Sequence, residues 1–111
     1  MTDYYRHEHL SRFGDIKTGS PDLAKKFFDW YGAVFEEGAL TKREKHLIAL
    51  AVAHTVQCPY CIDAHTTACQ EQGSDLEEMT EAVHVAAAIK GGAALVHGLQ
   101  MLTQVEKKGM G

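Results

Sequence analysis

Apolar residues recur every three or four positions along most of the chain and nowhere alternate with period two, so the sequence reads as helices throughout. The first firm start is Ser20-Pro21-Asp22, an N-cap, a proline at the first helical position and an acid in the first turn. Leu23, Phe27, Trp30, Tyr31 and Val34 then share a face, and this helix is expected to close near Glu37, ahead of Gly38. Thr41 and Glu44 are spaced as a capping box. The run that follows, Leu47 to Ala53, is apolar on every side, as in a helix at the centre of a bundle or at an oligomer interface. A third helix is expected from Pro59, with Cys58 as its N-cap, to about Gln72, stopped by Gly73. Ser74-Asp75-Leu76-Glu77 reads as a second capping box, opening a helix whose stripe is Met79, Ala82, Val83, Ala86, Ala87 and Ile89. Lys90 and Gly91-Gly92 should end it, and a last helix from about Gly92 to Glu106 carries Leu95, Leu99, Leu102 and Val105, with a frayed tail from Lys107. Upstream, Leu10, Phe13 and Ile16 can pin a short helix to the body, interrupted by Gly14 and Gly19. The expected fold is an all-α, single-domain bundle of about five to six helices, with its core over about residues 22–106 and an N-terminal segment over 1–19.

Length and charge narrow the function classes. A chain of 111 residues is one domain with a modest core, and association would help it bury an all-round apolar helix. With 15 acidic residues against 11 basic ones, a net charge of −4 and no basic run, a nucleic-acid partner is not expected. No signal-peptide order opens the chain and no apolar run approaches the length of a membrane span, so a cytoplasmic protein without membrane partners is expected. Three cysteines in such a compartment point to reactive or buried thiols rather than a disulfide framework.

The chemistry concentrates in Gln57-Cys58-Pro59-Tyr60-Cys61-Ile62-Asp63-Ala64-His65. Two cysteines one helical turn apart can close a small disulfide, and a helix N-terminus stabilises a thiolate. His65 follows Cys61 by four residues, on the same helix face, where an imidazole can take up or return a thiol proton. A lone CxxC can equally be half a zinc site or two small buried residues, but no second CxxC completes a four-cysteine site. Cys69, two turns beyond Cys61, reads as packed core.

Thr41-x-Arg43-Glu44, the run Leu47-Ile48-Ala49-Leu50-Ala51-Val52-Ala53, the motif Cys58-Pro59-Tyr60-Cys61 with His65, and the later Ala-Ala-x-x-Gly-Gly together resemble the carboxymuconolactone decarboxylase and AhpD-like alkylhydroperoxidase family over roughly residues 22 to 102. The wording around Val52 to Ala64 and Val83 to Ala93 is similar to a subgroup of peroxidase-like proteins associated with arsenosugar biosynthesis. The resemblance implies an AhpD-like helical fold assembling as trimers or hexamers. It also implies a peroxiredoxin-type activity in which Cys61 attacks a hydroperoxide, Cys58 resolves the product as a disulfide, and His65 relays protons. A lipoyl-bearing or thioredoxin-like partner would supply electrons, and no cofactor or resident metal is called for.

One position departs from the family pattern. The AhpD-like relay carries a glutamate where this chain has His46, eleven residues intervening before Cys58. Glu44 lies about 200° around the helix from it and is accounted for by the capping box. His46, with an ordinary pKa near 6.5, can serve as a relay group in its place. Catalytic candidates are therefore Cys58, Cys61, His65 and His46. Two other readings stand beside this one: a metal or metalloid (arsenic) binding module using Cys58, Cys61 and histidines such as His54, His84 and His97, and a lactone-decarboxylating lyase, which needs no cysteine pair. The three histidines are more simply core residues with one hydrogen bond each, and His7 and His9 belong to the polar N-terminal segment.

Overall fold

A computed structural model describes residues 5–109. The chain runs through α1 (His7–Leu10), a 3-10 segment (Phe13–Thr18), α2 (Pro21–Val34), α3 (Lys42–Val56), α4 (Pro59–Glu71) and α5 (Leu76–Lys107), with no strand among the described residues. The expected all-helical fold is what forms. Two starts are set as the sequence indicates. Thr41 and Glu44 satisfy each other's backbone donors at the head of α3, and Cys58 caps α4 ahead of Pro59. Gly73 takes φ +85° in the corner that follows α4, a conformation open to glycine at no steric cost.

Four expectations are corrected. The capping box of α5 uses Asp75 and Glu78, one residue later than Ser74 and Glu77, because Asp75 holds the extended cap conformation while Ser74 turns inward and is buried. α2 ends at Val34 rather than Glu37, with Phe35 as its C-cap. The two C-terminal helices are one, since Gly91 and Gly92 keep helical geometry and no proline or left-handed residue stops the ladder there. Glycine weakens a helix interior by about 0.5–1 kcal/mol but does not by itself break it. Unbroken, α5 is long and apolar enough to cross a membrane by length and composition alone, a test that core helices of soluble proteins also pass. Last, the apolar stripe of α2 does not enter the core: Leu23 and Trp30 are 68% and 65% exposed and only Ala24 is buried. Lys107 is still helical, and Met110 and Gly111 of the expected frayed tail lie outside the described residues.

The core sits where α3 meets α4 and α5, built on Leu50, Cys69 and Met79 with Leu47 against them. It explains why α3 is apolar all round: Leu50 and Ala53 face this core, while Ile48 and Val52, each about half exposed, face the opposite way. α2 lies on the 3-10 segment through Phe13, whose ring meets Phe27 and Phe28 edge-on at 6.1 and 5.1 Å. The radius of gyration is 19.1 Å, against about 13 Å for a compact domain of this length, and the excess comes with the projecting half of α5.

The cap of α3 is separable from the disulfide at the other end of the helix. Thr41→Ala is expected to cost about 0.5–2 kcal/mol of unfolding free energy, and Glu44→Ala to destabilise in the same direction, both leaving the reactivity of the folded thiols unchanged. Urea unfolding set beside thiol titration checks this, and a Glu44→Ala protein of normal stability but dead thiols would mean that Glu44 belongs to the site.

Candidate functional site

The site is built at the corner between α3 and α4. Gln57 ends α3 in the left-handed conformation (φ 55°, ψ 54°), a small strain for a residue with a side chain, and the backbone N–H of Cys58 returns to the Ala53 carbonyl at 3.0 Å. This tight corner sets Cys58 one residue ahead of α4. Its Sγ accepts from the Cys61 backbone N–H at 3.2 Å, and Cys58 and Cys61 are joined as a disulfide with Cα atoms 5.2 Å apart. Cys69, fully buried in the core, stays a free thiol, and burial pushes its pKa up against a smaller opposing effect of Arg43.

His65 projects from α4 one turn beyond Cys61 and is buried. Both its ring nitrogens are engaged. Nδ1 lies 3.1 Å from Nδ1 of His46 on α3, and Nε2 lies 2.9 Å from the Tyr31 hydroxyl on α2. Phe35 stacks on both imidazoles, with ring centroids 4.7 Å from His46 and 5.1 Å from His65. The loop carrying Phe35 is anchored by Lys45 of α3, whose ammonium donates to the carbonyls of Val34 and Glu36 at 2.8 and 2.6 Å. Burial holds both imidazoles below their ordinary pKa. At His46 the Glu71 carboxylate opposes this and Lys42 adds to it, and at His65 a charged His46 adds to it. Burial also pushes the Tyr31 hydroxyl up, so the phenol keeps its proton.

Two cavities meet at the disulfide. A mostly apolar cleft of about 520 Å³ is lined by Tyr31, Phe35, Ile48, Val52, Cys61 and His65 among others. A second, of about 310 Å³, lies on the other side against Cys58, Cys61, Tyr60, Phe13, Leu10 and His9. The N-terminal segment closes over that side: Tyr5 bonds to Asp63 and packs edge-on against Tyr60, and His9 Nδ1 sits 3.4 Å from the Tyr60 hydroxyl. His9 is thus part of the wall around the disulfide rather than idle, while the side chain of His7 lies outside the described residues.

The remaining histidines separate. His54 donates Nδ1–H to the Leu50 carbonyl one turn back at 2.8 Å, the simple structural role expected for it. His84 and His97 are exposed on α5 rather than packed in a core. Among the described residues no three of His, Cys, Asp and Glu come together as a metal site. Tyr31 and Phe35 were not singled out from sequence, since Tyr31 reads as one more ring in the α2 stripe and Phe35 as a residue near a helix end. The one usable signal was the hydroxyl on an otherwise apolar stripe.

Comparison with known proteins gives this arrangement a family. The family model for "Carboxymuconolactone decarboxylase family" matches residues 21–104. The chain belongs to the carboxymuconolactone decarboxylase family. Its Cys58–Cys61 pair and all-helical build agree with the AhpD-like members. Uncharacterized protein 4 in the cox locus of Paracoccus denitrificans is 35% identical over 107 residues, 96% of each chain. Among solved structures, a Methanobacterium thermoautotrophicum protein superposes with a TM-score of 0.74 at 35% identity, over 78% of this chain and 97% of that one. A family protein of Legionella pneumophila gives 0.69 at 29%, over 90% and 89% of the two chains. A Thermotoga maritima member described in connection with an antioxidative response gives 0.56 at 29%, over 80% and 81%.

The paired imidazoles tie stability to pH. Unfolded, they titrate near 6.5, and folded they titrate lower, so below about pH 6.5 the unfolded chain binds more protons than the folded one. Stability is therefore fully present above that value and is lost as the pH falls below it. Urea midpoints should drop from about pH 7.5 to about pH 5.5, less steeply when His46 and His65 are both replaced by Gln. A flat or rising midpoint over that interval in the parent protein would contradict the burial of these rings.

Proposed function

We propose that this family member is a cytoplasmic thiol-disulfide oxidoreductase that reduces hydroperoxides, with Cys61 as the attacking thiol and Cys58 as the resolving one. The observation that carries the reading is the Cys58–Cys61 disulfide at the head of α4, opening on the same apolar cleft as the buried His65. In the reduced protein the Cys61 thiolate attacks one peroxide oxygen, the O–O bond breaks, and the alcohol leaves with a proton while Cys61 becomes a sulfenic acid. Cys58 thiolate then attacks the Cys61 sulfur, the S–S bond forms and the hydroxyl leaves as water on taking a proton. A dithiol of a lipoyl-bearing or thioredoxin-like partner reduces the disulfide again, itself becoming oxidised. His65 and His46 carry the protons, both held neutral by burial and so ready to accept one. The description of the Thermotoga maritima relative in connection with an antioxidative response is consistent with this role. A metal or metalloid module is not favoured, since the two thiols that would hold an ion are closed on each other, and a lactone lyase would leave this pair without a use.

Intact-mass measurement before and after one equivalent of an organic hydroperoxide tests the reaction. The expected result is the loss of two hydrogens, with peptide mapping placing the bridge at Cys58–Cys61 and leaving Cys69 reduced, and with the rate rising with pH through the imidazole range. His46→Ala should slow that step roughly 10²-fold. Unchanged thiols in the wild-type protein, or a bridge to Cys69, would refute the assignment.

The same reading includes a closed homo-oligomer, a trimer or a hexamer. It is supported by the projecting α5, on which Ile89, Leu95 and Leu99 are 68%, 81% and 60% exposed, more apolar surface than a monomer in water leaves bare. Light scattering at micromolar concentration should return a multiple of the 12.2 kDa chain mass, and a single-chain mass would exclude the assembly.

A further inference from the structure

The imidazole that stands one turn from Cys61 has no nitrogen left for it. His65 Nδ1 faces His46 at 3.1 Å and His65 Nε2 faces the Tyr31 hydroxyl at 2.9 Å, so a direct transfer from the Cys61 thiol to His65 must first break one of these bonds. Tyr31, however, lines the same cleft as Cys61, and its oxygen has a lone pair to spare while its proton is given to His65. Resting on the thiol chemistry proposed above, we infer that Tyr31 is the positioning residue that fixes the His65 tautomer and the point at which the Cys61 proton enters the relay.

The proton count supports this order. A contact between two Nδ1 atoms needs a proton on one of them and a lone pair on the other. A phenol is a stronger donor than acceptor towards a neutral imidazole, so Tyr31 O–H donates to His65 Nε2. His65 is then the Nδ1–H tautomer and donates to His46 Nδ1, and His46 carries its own proton on Nε2. When Cys61 ionises, its proton passes to the Tyr31 oxygen, directly or through one water, as the phenol proton moves to His65 Nε2 and the His65 Nδ1 proton moves to His46 Nδ1. The balance is one thiolate on Cys61 and one imidazolium on His46, with Tyr31 and His65 neutral and no heavy-atom bond changed. The charged groups around the acceptor suit that end point: Glu71 of α4 favours a cation at His46, while Lys42 of α3 opposes it more weakly. The Phe35 ring, stacked on both imidazoles, keeps their edges aligned for the transfer.

Tyr31→Phe removes the hydroxyl and keeps the ring that packs against Phe27 and Phe35. Two measurements on the full-length reduced protein decide the matter, the first at a pH above the imidazole range and the second as a pH series across it. Long-range proton–nitrogen NMR of labelled histidine should find wild-type His65 as the Nδ1–H tautomer, and Tyr31→Phe should move it towards Nε2–H. Ultraviolet titration of the Cys61 thiolate and the rate of hydroperoxide-driven disulfide formation should show a loss of roughly 10²-fold in rate for Tyr31→Phe, with the imidazole limb of the pH profile flattened. Wild-type His65 found as Nε2–H, or a variant with unaltered tautomer, thiolate titration and rate, overturns the inference. The NMR comparison and thiolate titration need no peroxide, so a wild-type protein inert to hydroperoxide would remove the proposed function while these two still decide the relay. If Tyr31→Phe does not fold, the wild-type tautomer alone decides: Nδ1–H upholds the relay order and Nε2–H overturns it.

Discussion

Two imidazoles meet here, His65 buried and His46 half-buried, and much of this architecture serves to keep the nitrogens of the buried ring bonded. The cost of an unbonded buried nitrogen is about 1–3 kcal/mol, more than a typical net hydrogen bond returns. His65 meets it with a partner from each neighbouring helix, His46 from α3 and Tyr31 from α2. α2 has almost no core of its own, with Ala24 alone buried, so its C-terminal end is held largely by this polar bond, by the Phe35 stack and by the Lys45 ammonium on its last carbonyls. A change at the histidines is therefore also a change in where α2 ends, and the cleft wall that α2 supplies moves with it.

The conventional core is small and adjoins this cluster, with Leu50 one turn beyond His46 on α3 and Cys69 one turn beyond His65 on α4. Leu50, Cys69 and Met79 join α3, α4 and α5, while Ile48 and Val52 on the other face of α3 border the cleft. One helix thus has two apolar faces with different uses, one packed and one open, and α5 extends beyond the point where α3 and α4 can cover it.

The disulfide sits where backbone conformation is least ordinary. Gln57 in a left-handed conformation turns the chain within one residue, and Cys58 is at once the N-cap of α4 and half of the redox pair. A sulfur that accepts the Cys61 N–H is placed in the field of the helix N-terminus, where negative charge is favoured. The local device for starting α4 and the device for holding a reactive sulfur are the same atoms.

The sequence alone determined what depends on neighbours in the chain. Thr41 with Glu44, Cys58 with Pro59, Gly73, and the four-residue step from Cys61 to His65 are local geometry, and the structure has them where that geometry requires. Local rules misjudged Gly91-Gly92, because glycine permits a helix end without imposing one, and misplaced the α5 box by one residue, because Ser74 and Asp75 are both good caps and burial of Ser74 chose between them. His46 could be picked out only through the family pattern, since nothing in its own surroundings in the chain marks it. Tyr31 and Phe35 had no signal of that kind. Their meeting with His65 spans thirty residues or more and three helices, at the α2 end that Lys45 caps and turns onto α3. Tertiary packing, not spacing, decided that the histidine beside the thiols would have both nitrogens occupied.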